Sequence, residues 1–363
     1  MISSPPCPVC ATKAWKAIGT RTYLRSHVET LDTYTALRYR VLFEVWCHDK
    51  NEITLESQLC MFCGFVIYTP RPTADDLDAK YRFLTRLGAN QSLLSSTTPV
   101  EAARSKKLYG WLAKRVGKKK SRILDFGGSD GRLMSSFINH GHDCYLVDYN
   151  PTPIPGITKL ADTLENVPED LSFDIIVCSH VLEHLADPFD VTAALRSRLT
   201  NQGFLYVEVP MEIWRVPPLP VEPVTHVNYF TTASLKHLLE RAGYKVIYCR
   251  MGVPFHGAMT VVRAVAVSSA EDIVQRVPDE ESVRATKRLL SPDIGNVCED
   301  DRCKSSQVLE VGKKTALATD RTSNVKKVKR SVHVFRRQQR TERQHDGRRD
   351  VFAIRQLHLP ARA

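Results

Sequence analysis

The sequence lacks a long apolar run. No uninterrupted apolar segment approaches the roughly 20 residues that a membrane-spanning helix needs. The opening residues, MISSPPCPVC, have neither the basic stretch nor the apolar stretch of a secretory signal. Ten cysteines among 363 residues are too few for a dense disulfide framework, which argues against a small secreted scaffold. We therefore expect a cytoplasmic protein without a membrane span.

Most of the chain also lacks an excess of either charge. The net charge is +11, but residues 281–363 alone hold 20 Lys and Arg against 10 Asp and Glu. Residues 1–280 therefore contain 31 basic and 30 acidic residues, and nucleic-acid binding can be argued only for the basic tail. Beyond about Pro292 periodicity is lost, and we predict disorder. A purely solvated tail, a polyanion-binding tail and a frame-shifted or truncated end are the alternatives.

Two Cys-x-x-Cys pairs mark the N-terminal part. Each spacing lets two thiolates of one turn bind the same tetrahedral metal ion. The four residues are Cys7, Cys10, Cys60 and Cys63. We predict a structural zinc ion, because four thiolates leave no open coordination position, in a small β-rich lobe over residues 1–72. Its insert shows strand-like alternation from Tyr39 to Val45. Cys47 and His48 are an alternative ligand pair, and unmetallated cysteines are the other alternative.

The rest of the chain predicts an α/β fold. Residues 73–120 form a helical linker region with helices over 74–87 and 101–119. From 121 to 270 strands and helices alternate, which is typical of a doubly wound, Rossmann-like parallel sheet. Strands are predicted at 122–126, 144–148, 157–161, 173–179, 203–210, 244–250 and 260–267, and helices at 132–140, 188–199 and 233–242. Residues 271–363 form a mostly disordered C-terminal extension.

Ligands bind at the carboxyl ends of the strands in such sheets, and acidic and glycine residues lie at these ends. The run from Asp125 to Gly131 predicts a tight strand-to-helix turn that lets the backbone approach a cofactor. Asp148 follows the second strand, where one carboxylate can hold both hydroxyls of a ribose. Asp162 follows the third strand and is either an adenine contact or a plain turn residue.

Three motifs resemble the class I S-adenosylmethionine-dependent methyltransferases. They are DFGGSDG at 125–131, VDYNP at 147–151 and FDIIVCSHVLEHLADP at 173–188. The resemblance implies that S-adenosylmethionine is the cofactor. It also implies a set of cofactor-binding residues: Asp125, Gly127, Gly128, Gly131, Asp148, Asp162, Ser179 and His180.

Ser129 departs from the usual motif, in which this position is glycine. A serine in left-handed geometry costs about 1 kcal/mol or more, so we expect a local difference in the turn. Nucleotide-sugar C-methyltransferases also lack this glycine, and they carry an N-terminal four-cysteine zinc lobe. They are therefore the nearest subfamily by resemblance.

Residues 225–231 resemble the H-x-x-Y-F segment of these sugar enzymes, in which a histidine stands beside the acceptor. The sugar enzymes have His-Glu directly before this segment, whereas this chain has Val224-Thr225. We predict that His226 is the general base and that Tyr229 contacts the substrate. A helix-capping role is the alternative for His226. Glu183 and His184 are adjacent on a predicted helix, so we expect them to point in different directions and not to share a metal ion.

The leading hypothesis is a methyltransferase that acts on a small molecule, a sugar or a nucleotide-linked metabolite, at carbon or oxygen. An RNA methyltransferase that uses the zinc lobe and the basic tail is one alternative, although the near-neutral main part of the chain argues against it. A non-catalytic binding module on the same fold is the other. The sequence does not identify the methyl acceptor or the oligomeric state.

Overall fold

Two β-sheets organise the residues that the computed structural model describes, which are 5–87, 99–116, 119–213, 217–218, 223–252, 260–269 and 279–290. Within these ranges, three antiparallel strands form the sheet of an N-terminal lobe, and seven strands form a second sheet. The predicted disordered tail beyond 292 lies outside the described residues. Among the described helices, none combines the length and the apolar character that a bilayer span needs.

The N-terminal lobe is built on strands β1 (Trp15–Leu24), β2 (Glu52–Cys60) and β3 (Val66–Thr69), in that spatial order. In β2, Ile53, Leu55 and Leu59 are buried and lie on the same face, as the two-residue period of a strand requires. The predicted β-rich character of the lobe is therefore confirmed. The strand leads directly into the second cysteine pair.

The insert between β1 and β2 is helical, so the strand-like reading of Tyr39–Val45 is wrong. Helix α1 (Thr33–Val41) continues into a single π-turn at Leu42–Trp46. Asp32 caps α1 by accepting the Thr35 N–H at 3.1 Å. The residues that look alternating belong to a continuous buried helical surface, which comprises Tyr39, Val41, Leu42, Phe43 and Trp46. Burial of consecutive positions is incompatible with a strand that has one exposed face.

The larger sheet has the order β6-β5-β4-β7-β8-β10-β9. Neighbouring strands of this sheet are parallel, except that β10 runs antiparallel to both β8 and β9. The strands are β4 (Arg122–Phe126), β5 (Asp143–Val147), β6 (Ile157–Ala161), β7 (Phe173–Ser179), β8 (Leu199–Pro210), β9 (Tyr244–Gly252) and β10 (Val261–Ser268). The predicted doubly wound α/β class is confirmed.

Helices follow or precede these strands. They are α2 (Ala74–Arg86), α3 (Pro99–Val116), α4 (Ser135–Asn139), α5 (Pro188–Ser197), α6 (Thr232–Arg241) and α7 (Glu280–Leu290). Helix α7 was not among the helices predicted from the sequence.

The sheet is buried on both faces. Ile123 packs in one hydrophobic cluster with Leu108 and Leu112 of α3, whereas its neighbour Leu124 packs in a second cluster. This second cluster also contains lobe residues such as Leu59 and Phe65. Helix α3, which was predicted as part of a linker, thus packs in the hydrophobic cluster on one face of the sheet. Residues of the N-terminal lobe belong to the cluster on the opposite face.

Candidate active site and cysteine cluster

The turn after β4 adopts a conformation that is rare for residues with side chains. The φ angles are 69° at Gly127, 59° at Ser129 and 79° at Gly131. Glycine enters this left-handed region freely, whereas a serine costs about 1–2 kcal/mol there. The φ angle of Ser129 therefore lies in the same left-handed region as those of Gly127 and Gly131, in spite of its side chain. It shows no sign of the local difference in the turn that we expected at this residue.

Asp125 lies buried under this turn. A Cβ atom on Gly128 would overlap its Oδ2 atom, so only glycine lets the backbone pass over the carboxylate. Asp125 is 1% exposed, and neither carboxylate oxygen has a hydrogen-bond partner among the described residues. Burial raises the pKa of Asp125 to about 7. A buried carboxylate without a donor is costly, so a donor from a bound molecule would stabilise it.

Asp148 connects the end of β5 to the turn after β4, which we call the glycine turn (Gly127–Gly131). Its Oδ2 accepts the Ser129 N–H at 2.8 Å and its Oδ1 accepts the Asn150 N–H at 2.8 Å. Each carboxylate oxygen keeps a further lone pair, so two hydroxyl donors can still bind. Asp162 directly follows β6, as predicted, but its carboxylate is 58% exposed and accepts a 2.5 Å bond from Lys159 Nζ.

A buried acidic group lies at the end of β8, where the sequence analysis named no site residue. Glu208 is 1% exposed and accepts hydrogen bonds from four side chains. The donors are Arg263 Nε at 2.6 Å, Tyr206 Oη at 3.0 Å, Arg104 Nη2 at 3.1 Å and Ser179 Oγ at 3.3 Å. The signal that could have revealed it is a carboxylate within the apolar run of residues 204–209, because a buried charge needs partners.

His180 lies between two carboxylates. Its Nδ1 is 3.3 Å from Glu183 Oε1 and its Nε2 is 3.4 Å from Glu208 Oε1. Burial by itself lowers the pKa of His180, but the two carboxylates outweigh it and raise the pKa to about 9. The next residue, Val181, packs against the glycine turn, since a Cβ on Gly127 would lie 2.5 Å from Val181 Cγ2. His180 is therefore a cation beside that turn at neutral pH.

His226 forms a pair with Glu212, a residue that the sequence analysis did not single out. The His226 Nδ1 and Glu212 Oε2 atoms are 2.5 Å apart, and the side chains are 11% and 5% exposed. A carboxylate accepts this bond, so Nδ1 carries the proton, and in the neutral ring the lone pair lies on Nε2. Tyr229 is 1% exposed, and its hydroxyl donates to the His226 carbonyl at 3.0 Å. This bond holds the backbone of His226 in place.

Glu183 and His184 lie next to this pair, and the expectation that they diverge is wrong. One ligand atom from each of Glu183, His184 and His226 lies within 4.8 Å of the others. The α-helical rule does not apply, because Leu182–His184 is a single 3-10 turn that ends in extended backbone. The His184 and His226 rings are 4.9 Å apart between centroids. Burial lowers the pKa of His184 to about 4, so its imidazole is neutral at pH 7.

Arg71, at the end of the lobe, holds these two segments together. Its guanidinium donates to the carbonyls of Val227 at 2.7 Å and Ala186 at 2.9 Å, and to Asn228 Oδ1 at 2.6 Å. The Asn228 amide in turn donates to the Leu182 carbonyl at 2.7 Å. Burial lowers the pKa of Arg71 to about 10, which leaves it charged at neutral pH. A lobe residue thus fixes the positions of the loops that carry His184 and His226.

The four predicted metal-binding cysteines meet in the lobe. Their sulfur atoms all lie within 4.8 Å of one another, with Cys7–Cys63 at 3.7 Å and Cys10–Cys60 at 3.5 Å. These separations exclude disulfides, whose S–S bond is about 2.05 Å. They are close to the edge of about 3.8 Å in a tetrahedron with Zn–S bonds of about 2.3 Å. The cluster is therefore compatible with zinc, and Cys47 lies outside it.

Both cysteine turns have the same backbone shape. The residue after each pair has positive φ, 62° at Ala11 and 72° at Gly64. Gly64 also lies under α7, since a Cβ there would be 2.7 Å from the Ser282 carbonyl oxygen. Thr286 Oγ1 donates to the Gly64 carbonyl at 2.9 Å. Helix α7 therefore covers the second cysteine turn.

A known protein family matches the part of the chain that forms most of the larger sheet. Residues 101–248 match a family model described as a methyltransferase domain. This segment is a methyltransferase domain. The match begins within α3 and ends within β9, so the methyltransferase domain includes the strand ends that carry Asp125, Asp148 and His180.

Curated relatives match a similar length of sequence. A tRNA U34 carboxymethyltransferase of Campylobacter jejuni is 27% identical over 143 residues, which is 34% of this chain and 49% of that protein. The same enzyme from a second strain, 81-176, matches at the same identity and coverage. The chain thus spans about half the length of the curated relatives it matches.

Solved structures similar to this chain include two methyltransferases. A Burkholderia thailandensis 1,6-didemethyltoxoflavin-N1-methyltransferase with S-adenosylhomocysteine superimposes with a TM-score of 0.44 at 16% identity, covering 56% of this chain and 96% of that one. A glycopeptide N-methyltransferase with S-adenosylmethionine gives a TM-score of 0.37 at 17% identity, covering 46% and 94%.

The methyltransferase domain brings most of the predicted cofactor residues to one edge of its sheet. Asp125, Gly127, Gly128 and Gly131 lie in or under one turn, and Asp148 is bonded to it through Ser129. Ser179 ends the neighbouring strand β7, and His180 directly follows it. Their roles in cofactor binding stay predictions.

Proposed function

We propose that this chain transfers a methyl group from S-adenosylmethionine to a small-molecule acceptor, a sugar or nucleotide-linked metabolite, at carbon or oxygen. The observation that carries the proposal is the Glu212–His226 pair, which lies in the methyltransferase domain beside the segment that packs on the glycine turn. The left-handed Ser129 and the four-cysteine cluster support a relationship to the nucleotide-sugar C-methyltransferases.

The chain offers suitable groups for this cofactor. The buried carboxylate of Asp125 lacks a donor, and the cofactor's amino group would supply it. The free lone pairs of Asp148 would hold the ribose hydroxyls, and Asp162 would accept a bond from the adenine amino group. Ser179 and His180 would line the methionine end.

The residues around His226 would prepare the acceptor. When bound, the cofactor supplies a methyl group on a positively charged sulfur, so alignment of the acceptor is the main task of the protein. Glu212 keeps the His226 proton on Nδ1, and Nε2 accepts a proton from a hydroxyl or from the α-carbon of a ketone. Such proton transfer contributes about 10²- to 10⁴-fold to the rate. Tyr229 contributes by holding the His226 carbonyl, and a direct contact with substrate stays a prediction.

The cysteine cluster would hold a structural zinc ion. Four sulfur ligands complete a tetrahedral shell and leave no place for substrate. Thiolates persist in this form in a reducing compartment, which is consistent with the predicted cytoplasmic location.

A His226→Ala variant tests the proposal. Purified protein is incubated with a metabolite extract and isotopically labelled S-adenosylmethionine, and mass spectrometry identifies any product that gains a methyl group. We expect the variant to bind the cofactor by calorimetry like the wild type but to lose turnover. The exposed His48→Ala is the matched control. Full turnover by the His226 variant would remove the base assignment, and absence of cofactor binding by the wild type would favour a non-catalytic module.

A tRNA acceptor is the second candidate, because the curated relatives are tRNA enzymes. The basic tail adds a charge that could attract RNA. The same labelled cofactor offered with bulk tRNA in place of the metabolite extract separates the two acceptors. Label in tRNA, with binding that weakens steeply as salt rises, would replace the small-molecule proposal.

A further inference from the structure

Glu183, His184 and His226 bring two imidazoles and one carboxylate to a common point in the methyltransferase domain. This is a ligand set that zinc and non-haem iron sites use. The two segments that carry it are bonded to each other, since the Glu183 carbonyl accepts the N–H groups of Val227 at 2.9 Å and Asn228 at 3.1 Å. The cluster is therefore fixed by backbone contacts and not by side-chain placement alone.

Both imidazoles are already held in the tautomer that a metal ion requires. The His184 Nδ1 atom is 2.7 Å from the Thr225 carbonyl oxygen, which can only accept a hydrogen bond. His226 Nδ1 is held in the same way by Glu212. Each ring therefore has its lone pair on Nε2. Metal-binding histidines nearly always donate their other N–H to a carbonyl or a carboxylate in this manner.

Glu183 provides an independent sign of a missing ligand. It is fully buried, and its carboxylate oxygens make no hydrogen bond with any residue in the described ranges. The nearest side-chain nitrogens are His180 Nδ1 at 3.3 Å, which belongs to a cation at neutral pH, and the neutral His184 Nε2 at 3.8 Å. Buried carboxylates are normally bonded to donors or to metal ions.

We infer that Glu183, His184 and His226 bind one divalent transition-metal ion, through a carboxylate oxygen and both Nε2 atoms, and that the bound ion blocks methyl transfer. One lone pair on His226 cannot both bind a metal ion and accept a proton. The inhibition rests on the proposed function, whereas the metal site does not.

The surroundings select the kind of ion. The Lys80 ammonium is buried nearby, where it donates to the Val224 carbonyl at 3.2 Å and acts electrostatically on His184. Burial lowers the pKa of Lys80 to about 7, and its charged form opposes a bound cation. The ion must therefore bind imidazole strongly, which favours late first-row ions such as zinc over magnesium or calcium.

The metal content of the full-length protein tests the site. The protein is saturated with zinc, desalted and analysed by plasma mass spectrometry and X-ray absorption. We expect two zinc ions per chain, one with sulfur ligands and one with nitrogen and oxygen ligands. His184→Ala and Glu183→Gln should each lose only the second ion, while the exposed His48→Ala keeps both. Calorimetric binding of S-adenosylmethionine checks that the variants are folded. Zinc bound through sulfur alone in the wild type would overturn the site.

A zinc titration of the methyl-transfer assay tests the inhibition. Wild-type turnover should fall as the nitrogen and oxygen site fills and should return when a chelator removes that ion. Unchanged turnover with the site filled would overturn the inhibitory role. Absence of methyl transfer under every condition would instead remove the proposed function and the inhibition with it, while the metal content would still decide the site.

Discussion

Glu212 and His226 are joined by a 2.5 Å hydrogen bond although 14 positions separate them in the sequence. Glu212 follows the end of β8, and His226 lies in the segment that Arg71 fixes through the Val227 carbonyl. The bond therefore exists only when the sheet, the lobe and the connecting segment are all in place. Its consequence is a single histidine tautomer with a free Nε2.

Glu212→Gln should lower kcat about 10- to 100-fold, within the range that general base catalysis contributes. The amide can donate as well as accept, so it no longer enforces one tautomer of His226. Cofactor affinity should stay at the wild-type value, because Glu212 lies outside the glycine turn. Steady-state kinetics and calorimetry measure the two effects. Glu44→Gln, in the lobe, is the control, and an unchanged kcat in Glu212→Gln would contradict the pairing.

Asp148→Ala should abolish measurable binding of S-adenosylmethionine, because the variant loses both the proposed ribose acceptor and the anchor of the Ser129 N–H. Charge-assisted bonds of this kind contribute about 1.5–3 kcal/mol each. Asp143→Ala removes a carboxylate from the opposite end of the same strand, where it pairs with Lys120 at 2.8 Å. Calorimetry should show near-normal affinity for that control. Equal losses in both variants would indicate general destabilisation of β5.

Asp125→Asn should raise the stability of the cofactor-free protein but weaken its binding of S-adenosylmethionine. The pKa of Asp125 is raised by burial to about 7, above the usual value of about 3.9. The stability that this group contributes is therefore complete below about pH 4 and is lost as pH rises through 7. The neutral asparagine avoids this loss, so the variant should melt at a higher temperature than the wild type at pH 8. The difference should shrink at pH 5.5.

The same variant should bind S-adenosylmethionine about 10-fold or more weakly at pH 8, since an amide is a weaker acceptor for a cationic amino group. Thermal melting of the cofactor-free protein at the two pH values and calorimetry at pH 8 measure both effects. A melting shift that is identical at pH 5.5 and pH 8 would mean that ionisation of Asp125 is not its cause.

Cys60→Ser should lose zinc and destabilise the lobe by about 3 kcal/mol or more, because structural zinc contributes directly to folding free energy. Chelator treatment of the wild type should act in the same direction. Cys47→Ser, also in the lobe but outside the cluster, is the matched control and should retain the metal. Metal analysis and thermal melting provide the readouts. Zinc retained in full by Cys60→Ser would exclude Cys60 as a ligand.

Arg71→Met should cost about 2–5 kcal/mol of stability, because it leaves several buried acceptors without a donor. Among these are the Ala186 and Val227 carbonyls, which flank the segments of His184 and His226. We expect kcat to fall more than cofactor affinity, since the glycine turn is held by other contacts. Chemical denaturation and kinetics test this, and Arg82→Met on the exposed surface of α2 serves as the control. Wild-type kcat in Arg71→Met would show that Arg71 does not position His226.

The sequence was sufficient where local pattern and tertiary packing agree. The bounds of β4, β6 and β7 match the predicted ranges because short apolar runs are bordered there by charged residues, glycines or turns. The alternation at Tyr39–Val45 was misleading because the intervening Leu42 is buried as well, which only a helix surrounded by core can satisfy.

The partners of the site residues could not be predicted in the same way. Glu208 meets Arg104 and Arg263 across 104 and 55 positions, respectively, and no local period links such residues. The divergence expected of Glu183 and His184 failed because the segment turns as a 3-10 element. Ser129 shows that a local preference can also mislead. Its backbone adopts the left-handed conformation of the turn, although a residue with a side chain disfavours it.

The contact between α7 and the second cysteine turn sets an order of events during synthesis. Thr286, which bonds to the Gly64 carbonyl, follows it by 222 positions. At elongation rates of about 5–20 residues per second, the cysteine turn emerges roughly 10 to 45 seconds before the helix that covers it. The cysteine turn is thus made well before the helix that covers it, which leaves an open interval in which a metal ion can reach the thiolates.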